Sequence, residues 1–248
     1  MDSIDTKKSV NSLAFFASEP HACSYLDNRT SISLFADPTV PMTMPVYSRL
    51  ADYGFRRSGP HIYAPNCPHC QSCIPIRLPV DHFKPNRSQK RVLNKNVNLT
   101  VKCLPAAFHQ EHFELYQRYL SCRHAGSSME NPSADEYLSF LASDWSETYF
   151  YEFRENDRLL AVTVADKLTQ GLSAVYTFFD PAYAARGLGN FAVLWLAQET
   201  QSLQLRWLYL GYWIPSCRKM QYKSDFKPAE IFSNGRWTPL TGAYLANI

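Results

Sequence analysis

The chain has 248 residues, 46% of them hydrophobic, and a formal net charge of +3, enough for one large core or two modest ones and too little charge by itself to argue for nucleic acid. No apolar run approaches the roughly 20 residues that span a bilayer, and the first twenty residues carry Asp2, Asp5 and Glu19 where a signal peptide would be apolar. Seven cysteines, an odd number, fit a reducing compartment better than a secreted disulfide scaffold, so a cytoplasmic protein without membrane partners is expected.

The first hundred residues are rich in Pro, Cys and Arg and weakly periodic, with turn signals at Asp37-Pro38, Tyr53-Gly54, Ser58-Gly59-Pro60 and Lys84-Pro85. They predict a small, irregular, metal-supported N-terminal domain over residues 1–104. Its centre is Cys67-Pro-His-Cys70-Gln-Ser-Cys73, where each C-x2-C step turns backbone N–H groups toward the sulfurs. Three thiolates leave a tetrahedral site one ligand short, and Cys23, beside His21, is the candidate from elsewhere in the chain. Reduced thiols in an irregular loop are the alternative.

From Lys84 to Lys102 the basic residues Lys84, Arg87, Lys90, Arg91, Lys95 and Lys102 run without an intervening Asp or Glu. Such a segment can meet phosphates, or it can be a solvated strand or loop. Arg49, Arg56, Arg57 and Arg77 add charge to the same half, and Arg218, Lys219, Lys223 and Lys227 form a second cluster.

Past Lys102 the pattern becomes regular. Phe108, Leu115, Tyr116, Tyr119 and Leu120 recur at helical spacing and predict a helix over 106–124. Ser133-Ala-Asp-Glu136 is a capping-box pattern that opens a second helix. Strands are predicted at 148–153, 159–167 and 172–179, separated by Asn156-Asp157 and Gln170-Gly171 turns, which reads as an antiparallel meander. Asp180-Pro181 then leads into Arg186-Gly187-Leu188-Gly189, a helix over 190–203 and a strand over 206–212. This element order is that of the N-acyltransferase fold known as GNAT: an α+β, mostly antiparallel domain over residues 105–248. A glycine turn opening a helix offers unpaired N–H groups to an anion, though the first position of the coenzyme A motif is here Ala184.

Several longer stretches resemble a known family. Cys23-Ser-Tyr-Leu-Asp-Asn-Arg29, Gly54-Phe-Arg-Arg-Ser-Gly59, the stretch Tyr63 to Val80 and Arg87-Ser-Gln-Lys-Arg91 look like the N-terminal half of arginyl-tRNA–protein transferases. Val175-Tyr-Thr-Phe-Phe-Asp-Pro181 and Tyr209-Leu-Gly-Tyr-Trp-Ile214, continuing through Lys219-Met-Gln-Tyr-Lys223 to Phe226-Lys-Pro228, look like the C-terminal half. The chain is most similar to the bacterial branch, the aspartate/glutamate leucyltransferases of the N-degron pathway.

The resemblance implies that leucine passes from leucyl-tRNA to the α-amine of proteins or peptides beginning with Asp or Glu. Aminoacyl-tRNA is already an activated ester, so neither ATP nor coenzyme A is expected. The resemblance further implies a zinc or iron–sulfur site at Cys23, Cys67, Cys70 and Cys73. Arg186, Gly187 and Gly189, with Arg87, Lys90 and Arg91, are candidates for holding tRNA phosphates. Arg56, Arg77, Lys219 and Lys223 are candidates for the acceptor carboxylate. Asp180 is a candidate for orienting or deprotonating the amine, and Tyr222 for protonating the leaving group; an Asp-Pro turn and a packed tyrosine are the structural alternatives. Other readings are an arginyl donor in the same family, a coenzyme A-dependent N-acyltransferase, and a non-enzymatic, metal-supported RNA-binding module.

Overall fold

The computed structural model describes residues 13–123 and 132–245. Its first segment contains β1 (Phe15–Ala17), β2 (His21–Ala22), β3 (Thr30–Ser31), β4 (Ser33–Ala36), α1 (Met44–Asp52), β5 (Arg56–Ser58), β6 (His61–Pro65) and β7 (Ile74–Pro79). Strands β1, β4, β6 and β5 form a small antiparallel sheet in that order, and β2 pairs with β3. Helix α1 buries Tyr47, Leu50 and Ala51 against Ala36 and Ile62 of this sheet and against Leu168 and Tyr209 from far along the chain.

The chain continues through α2 (Arg87–Lys95), β8 (Thr100–Pro105), α3 (Gln110–Arg123), α4 (Ala134–Leu141), β9 (Thr148–Glu155), β10 (Arg158–Leu168) and β11 (Gly171–Phe179). It closes with α5 (Leu188–Ser202), β12 (Trp207–Trp213), β13 (Glu230–Ser233), β14 (Arg236–Pro239) and α6 (Gly242–Leu245). Eight strands form one mixed sheet in the order β14-β13-β7-β12-β11-β10-β9-β8. Every neighbouring pair is antiparallel except β11 with β12.

Both faces of this sheet are covered, which explains the almost unbroken apolar run of β10. Leu160 and Ala161 join Phe191, Leu194 and Leu196 of α5 in the main core. Leu159, Val162 and Val164 join Leu115, Tyr116 and Leu120 of α3 and Tyr137 and Leu141 of α4 on the other side. A strand buried on two faces cannot show the polar alternation of a half-exposed one.

The meander is observed with the Asn156-Asp157 turn as predicted; the second turn falls at Thr169-Gln170, one residue early, because Gly171 already pairs with Leu168 as the first residue of β11. Helix α3 starts at Gln110, four residues later than the spacing predicts, and the predicted end at His124 lies outside the described residues. The α4 capping box forms as expected, with Ser133 Oγ accepting from the Glu136 amide at 3.2 Å and Glu136 Oε2 accepting from the Ser133 amide at 2.8 Å. Two findings differ from the sequence reading. The basic segment contains a helix, α2, opened by a capping box between Asn86 and Gln89. The first 104 residues also supply strands to the large sheet: β7, with Ile74, Ile76 and Leu78 buried in its core, lies between β12 and β13. The core therefore shows no break at residue 104/105.

Candidate active site

The parallel pair β11–β12 is short. Gly171, Leu172 and Ser173 pair with Trp207, Leu208 and Tyr209, and the two strands then part. At the closed end the backbones approach so tightly that a Cβ on Gly171 would stand 2.2 Å from the Trp207 carbonyl oxygen. Burial follows the pairing. Gly171–Ser173 are buried, the next four residues, 174–177, are half-exposed, and burial resumes at Phe178. A fork thus opens between two central strands, leaving β11 without a partner on that side.

Arg56 enters this fork from β5. Its Nη1 donates to Ser173 Oγ at 2.9 Å and its Nη2 donates to the Ala174 carbonyl, the first residue of the open stretch. On the opposite strand Gly211 has φ +80°, which favours glycine, and a Cβ there would press on the Arg56 guanidinium at 3.2 Å from Nε. Arg57 faces the other way and locks β5 in place. It is paired through Nε and Nη2 with Asp166, both bonds 2.7 Å, and its guanidinium also donates to the Gly59 and Leu141 carbonyls at 3.0 and 2.8 Å. Tyr47 and Thr148 complete the Asp166 shell at 2.8 and 2.7 Å.

Lys223 reaches the same part of β12 from the other end of the chain, bonding the residue after Gly211. It lies on a 3-10 turn, Gln221–Asp225, is 8% exposed, and donates from Nζ to the Tyr212 carbonyl of β12 at 2.7 Å. Burial, followed by the charge of nearby Arg56, pulls its pKa down to about 7. Among the described residues no carboxylate pairs with either Arg56 or Lys223.

The other two candidates for an acceptor carboxylate do not join them. Arg77 is held between Trp207 and Trp237, 3.6 and 4.3 Å from the ring centroids, and pairs with Glu230 at 2.8 Å and Asp52 at 3.4 Å. Lys219 is exposed.

Asp180 lies at the far end of β11. Its Oδ1 accepts from the Ala182 amide at 3.0 Å, capping the turn at Pro181, and its Oδ2 accepts from Arg158 at 3.1 Å. Tyr222 precedes Lys223, packs near Phe226, and is half-buried; burial raises its phenol to about 12, so it stays protonated at neutral pH.

The glycine turn adopts the expected shape, with Gly187 at φ +69° as the residue before α5 and Gly189 in the first turn of the helix. Arg186 does not project from it. Its Nε donates to Asn96 at 3.0 Å, its Nη1 to Glu155 at 2.9 Å, and its Nη2 to Asn98 and the Lys95 carbonyl at 2.7 and 3.1 Å. Those bonds fasten the turn to the end of α2. In contrast, Lys84, Arg87, Lys90, Arg91, Lys95 and Lys102 are all exposed. The inward face of α2 reaches the Lys223 turn, where Gln89 Nε2 donates to the Asp225 carbonyl at 3.2 Å.

Cys23, Cys67, Cys70 and Cys73 line a single cavity of about 510 Å³ together with Tyr63 and Tyr212. Burial, then the sulfurs of Cys23, Cys67, Cys70 and Cys217, pushes the Cys73 thiol up to about 12, whereas a hydrogen bond with Ser72 lowers Cys70. Thiols that repel one another's ionised forms are a donor set suited to a soft metal or an iron–sulfur cluster. Among the described residues, however, no three His, Cys, Asp or Glu side chains stand close enough to hold a metal ion as they are. Cys217, buried beside this set, was not separable from bystander thiols by spacing alone. Tyr63 and Tyr212 were also not singled out by the sequence. The Tyr212 hydroxyl donates to the Gly54 and Tyr63 carbonyls at 3.0 and 3.2 Å, joining the cavity wall to the fork.

Residues 21–91 match the family model described as the N terminus of arginine-tRNA-protein transferase, and residues 111–233 match that of its C terminus. The fork and these two matches place the chain in the class of aminoacyltransferases that act with tRNA on protein. It belongs to the arginine-tRNA-protein transferase family. A relative from Pseudomonas syringae pv. syringae (strain B728a), named aspartate/glutamate leucyltransferase, is 50% identical over 228 residues, 92% of this chain and 97% of that one. A relative of the same name from Pseudomonas aeruginosa (strain LESB58) is 48% identical over 229 residues, with the same coverage. The C-terminal domain of a lysylphosphatidylglycerol synthetase from Agrobacterium fabrum, described there as putative, aligns with a TM-score of 0.48 and 14% identity over 82% of this chain and 66% of that one, too little to carry an argument. No described helix is long and apolar enough to cross a membrane.

Proposed function

We propose that this protein transfers leucine from leucyl-tRNA to the α-amine of proteins that begin with Asp or Glu, in the cytoplasm, and so creates an N-degron. The observation that carries this reading is the 50% identity, over nearly the whole chain, to relatives named aspartate/glutamate leucyltransferase. The fork supplies a setting for the chemistry. An uncharged α-amine attacks the leucyl ester carbonyl, a C–N bond forms, and the C–O bond to the tRNA ribose breaks. The amine gives up one proton and the leaving ribose oxygen takes one, so no ATP or coenzyme A is consumed. A free α-amine has an ordinary pKa of roughly 8, which leaves a neutral fraction at cellular pH.

Tyr222, kept protonated by burial, is the proposed donor to the leaving oxygen. Unpaired N–H groups along the open edge of β11 are the proposed partners for the tetrahedral oxyanion, as in GNAT-like transferases. Asp180 is proposed to act at the mouth of the fork, where its bonds to Ala182 and Arg158 hold the β11 exit in shape. Arg87, Lys90 and Arg91 on α2 are the proposed tRNA surface, with Gly187 and Gly189 beside them; Arg186 contributes by fastening that turn. Because Gln89 bonds to the Lys223 turn, this surface adjoins the side of the fork that carries Tyr222. Cys23, Cys67, Cys70 and Cys73 would hold zinc or an iron–sulfur cluster that ties the Cys67–Cys73 loop to the segment around Cys23. The acceptor carboxylate requires a cation from the set Arg56, Arg77, Lys219 and Lys223.

The test is transfer itself. Purified protein incubated with radiolabelled leucyl-tRNA should label peptides beginning with Asp or Glu and leave Lys- and Ala-initiated peptides unlabelled. Label arriving only from arginyl-tRNA would keep the family and change the donor.

A further inference from the structure

Buried cations are normally paired, because an isolated one costs several kcal/mol of lost hydration. Arg57, the neighbour of Arg56, obeys this rule through Asp166. Arg77 obeys it through Glu230. Lys223, which is buried, and Arg56, which is half-buried, do not: beside the point where β11 and β12 part, Arg56 has among the described residues only Ser173 Oγ and the Ala174 carbonyl as hydrogen-bond partners, and Lys223 only the Tyr212 carbonyl.

The placement is costly to build. Gly211 is held at φ +80° beneath the Arg56 guanidinium. The Arg57–Asp166 lock fixes β5 so that the preceding residue reaches into the fork. Around the pair, the ionisable groups are the Cys73 and Cys217 thiols near Lys223 and the Tyr47, Tyr63 and Tyr212 phenols near Arg56. The surroundings thus provide a two-cation seat with hydroxyls and thiols around it and, among the described residues, no carboxylate paired to it.

We propose that Arg56 and Lys223 form the seat for the side-chain carboxylate of the acceptor's first residue, and that this seat sets the preference for Asp and Glu. The inference rests on the leucyltransferase reading for the identity of the acceptor. A carboxylate on a short side chain can reach a lysine that is more than nine-tenths buried on a turn against β12, whereas a phosphodiester with a nucleoside on each side cannot. The exposed cations of α2 are the natural phosphate partners. A carboxylate on the seat gives two charge-assisted hydrogen bonds. Its amide counterpart can still accept through its carbonyl oxygen, but it brings no negative charge, so the two cations stay uncompensated. The α-amine of the same residue then lies along the half-exposed stretch 174–177 of β11, where the ester must be presented.

The experiment compares binding and leucyl transfer for peptides that begin with Asp, Glu, Asn or Gln and are otherwise identical, using the full chain. Binding is measured by calorimetry without tRNA. Arg56→Gln and Lys223→Met should each cut the Asp-over-Asn preference in kcat/KM at least tenfold, mainly through KM for the Asp peptide, with leucyl-tRNA affinity unchanged. Lys223→Met replaces a buried amine by an apolar chain of similar length and should melt no lower than wild type, which separates loss of the seat from loss of the fold. An unchanged Asp-over-Asn ratio in both folded variants would overturn the seat, and so would weakened leucyl-tRNA binding with the ratio intact, which would make the pair a phosphate site. A wild-type protein that binds Asp peptides selectively but transfers no leucine would sink the transfer reading while leaving the seat standing.

Discussion

Asp166→Asn tests how the site is held. The Asp166 carboxylate is fully buried and accepts four hydrogen bonds of 2.7–2.8 Å: two from Arg57 and one each from Tyr47 and Thr148. The amide keeps the shape but removes the charge and points an N–H₂ at donors, so the Arg57 cation is left uncompensated in the interior. Breaking one partner of a buried pair costs about 3–5 kcal/mol, and in a chain of this size about 4 kcal/mol lowers Tm by roughly 8–16 °C. The double variant Arg57→Met/Asp166→Leu removes both charges and should recover most of that stability, short of wild type because Tyr47 and Thr148 lose an acceptor worth about 1 kcal/mol each. Circular-dichroism melts and urea titrations of the three proteins measure both effects. At a temperature where Asp166→Asn is folded, KM for an Asp-initiated peptide should rise, because Arg56 is the next residue on the same strand. A destabilisation below about 1 kcal/mol for Asp166→Asn, or a double variant no more stable than the single one, would refute the reasoning.

Other consequences follow from separate parts of the molecule. Lys90→Ala/Arg91→Ala should weaken tRNA binding and reduce its salt slope by roughly 0.7–0.9 for each phosphate left without its cation, with Tm unchanged because both side chains are exposed. For Glu152, burial would raise the pKa, but hydrogen bonds from Arg154 and His112 outweigh it and hold the carboxyl at about 2. Its folded pKa therefore lies below the unfolded one, so stability present above an ordinary carboxylate pKa of about 4.3 is lost as pH falls toward about 2. Glu152→Gln should flatten that acid limb in urea titrations at successive pH values, and an unaltered limb would count against the network. Elemental analysis and visible absorption of protein purified without oxygen should show about one zinc per chain, or about two to four irons per chain with cluster absorption, absent from a Cys67→Ser/Cys70→Ser variant; a metal-free, fully active protein would remove the cofactor.

What was readable in the sequence was what neighbours dictate. The Asn156-Asp157 and Thr169-Gln170 turns join strands that pair with their nearest neighbours in the chain, so the meander follows from local signals, the second turn misplaced by one residue. The Ser133–Glu136 box likewise needs four residues and nothing more. Helix α2 carried an equally local signal, Asn86 with Gln89, masked by the attention that a run of positive charge draws. Strand β7 was hidden for a different reason: its partners lie more than 120 residues away, and Pro75 and Pro79 read as loop until β12 and β13 are seen to flank it. The cysteine cavity was legible in its members but not in the arrangement of their sulfurs. Arg56, Arg77, Lys219 and Lys223 could be assembled as a set by charge, yet pattern alone cannot separate an arginine stacked between two tryptophans from one that enters a fork with no carboxylate partner among the described residues.

Leucyl transfer to acidic N-termini is checked most simply by a competition read by mass spectrometry. Leucyl-tRNA and arginyl-tRNA are supplied together with Asp-, Glu-, Asn- and Lys-initiated peptides in one reaction, and the N-terminal residue of each product is identified. The expected result is leucine on the Asp and Glu peptides alone; arginine on those peptides, or leucine distributed without regard to the first residue, would contradict it.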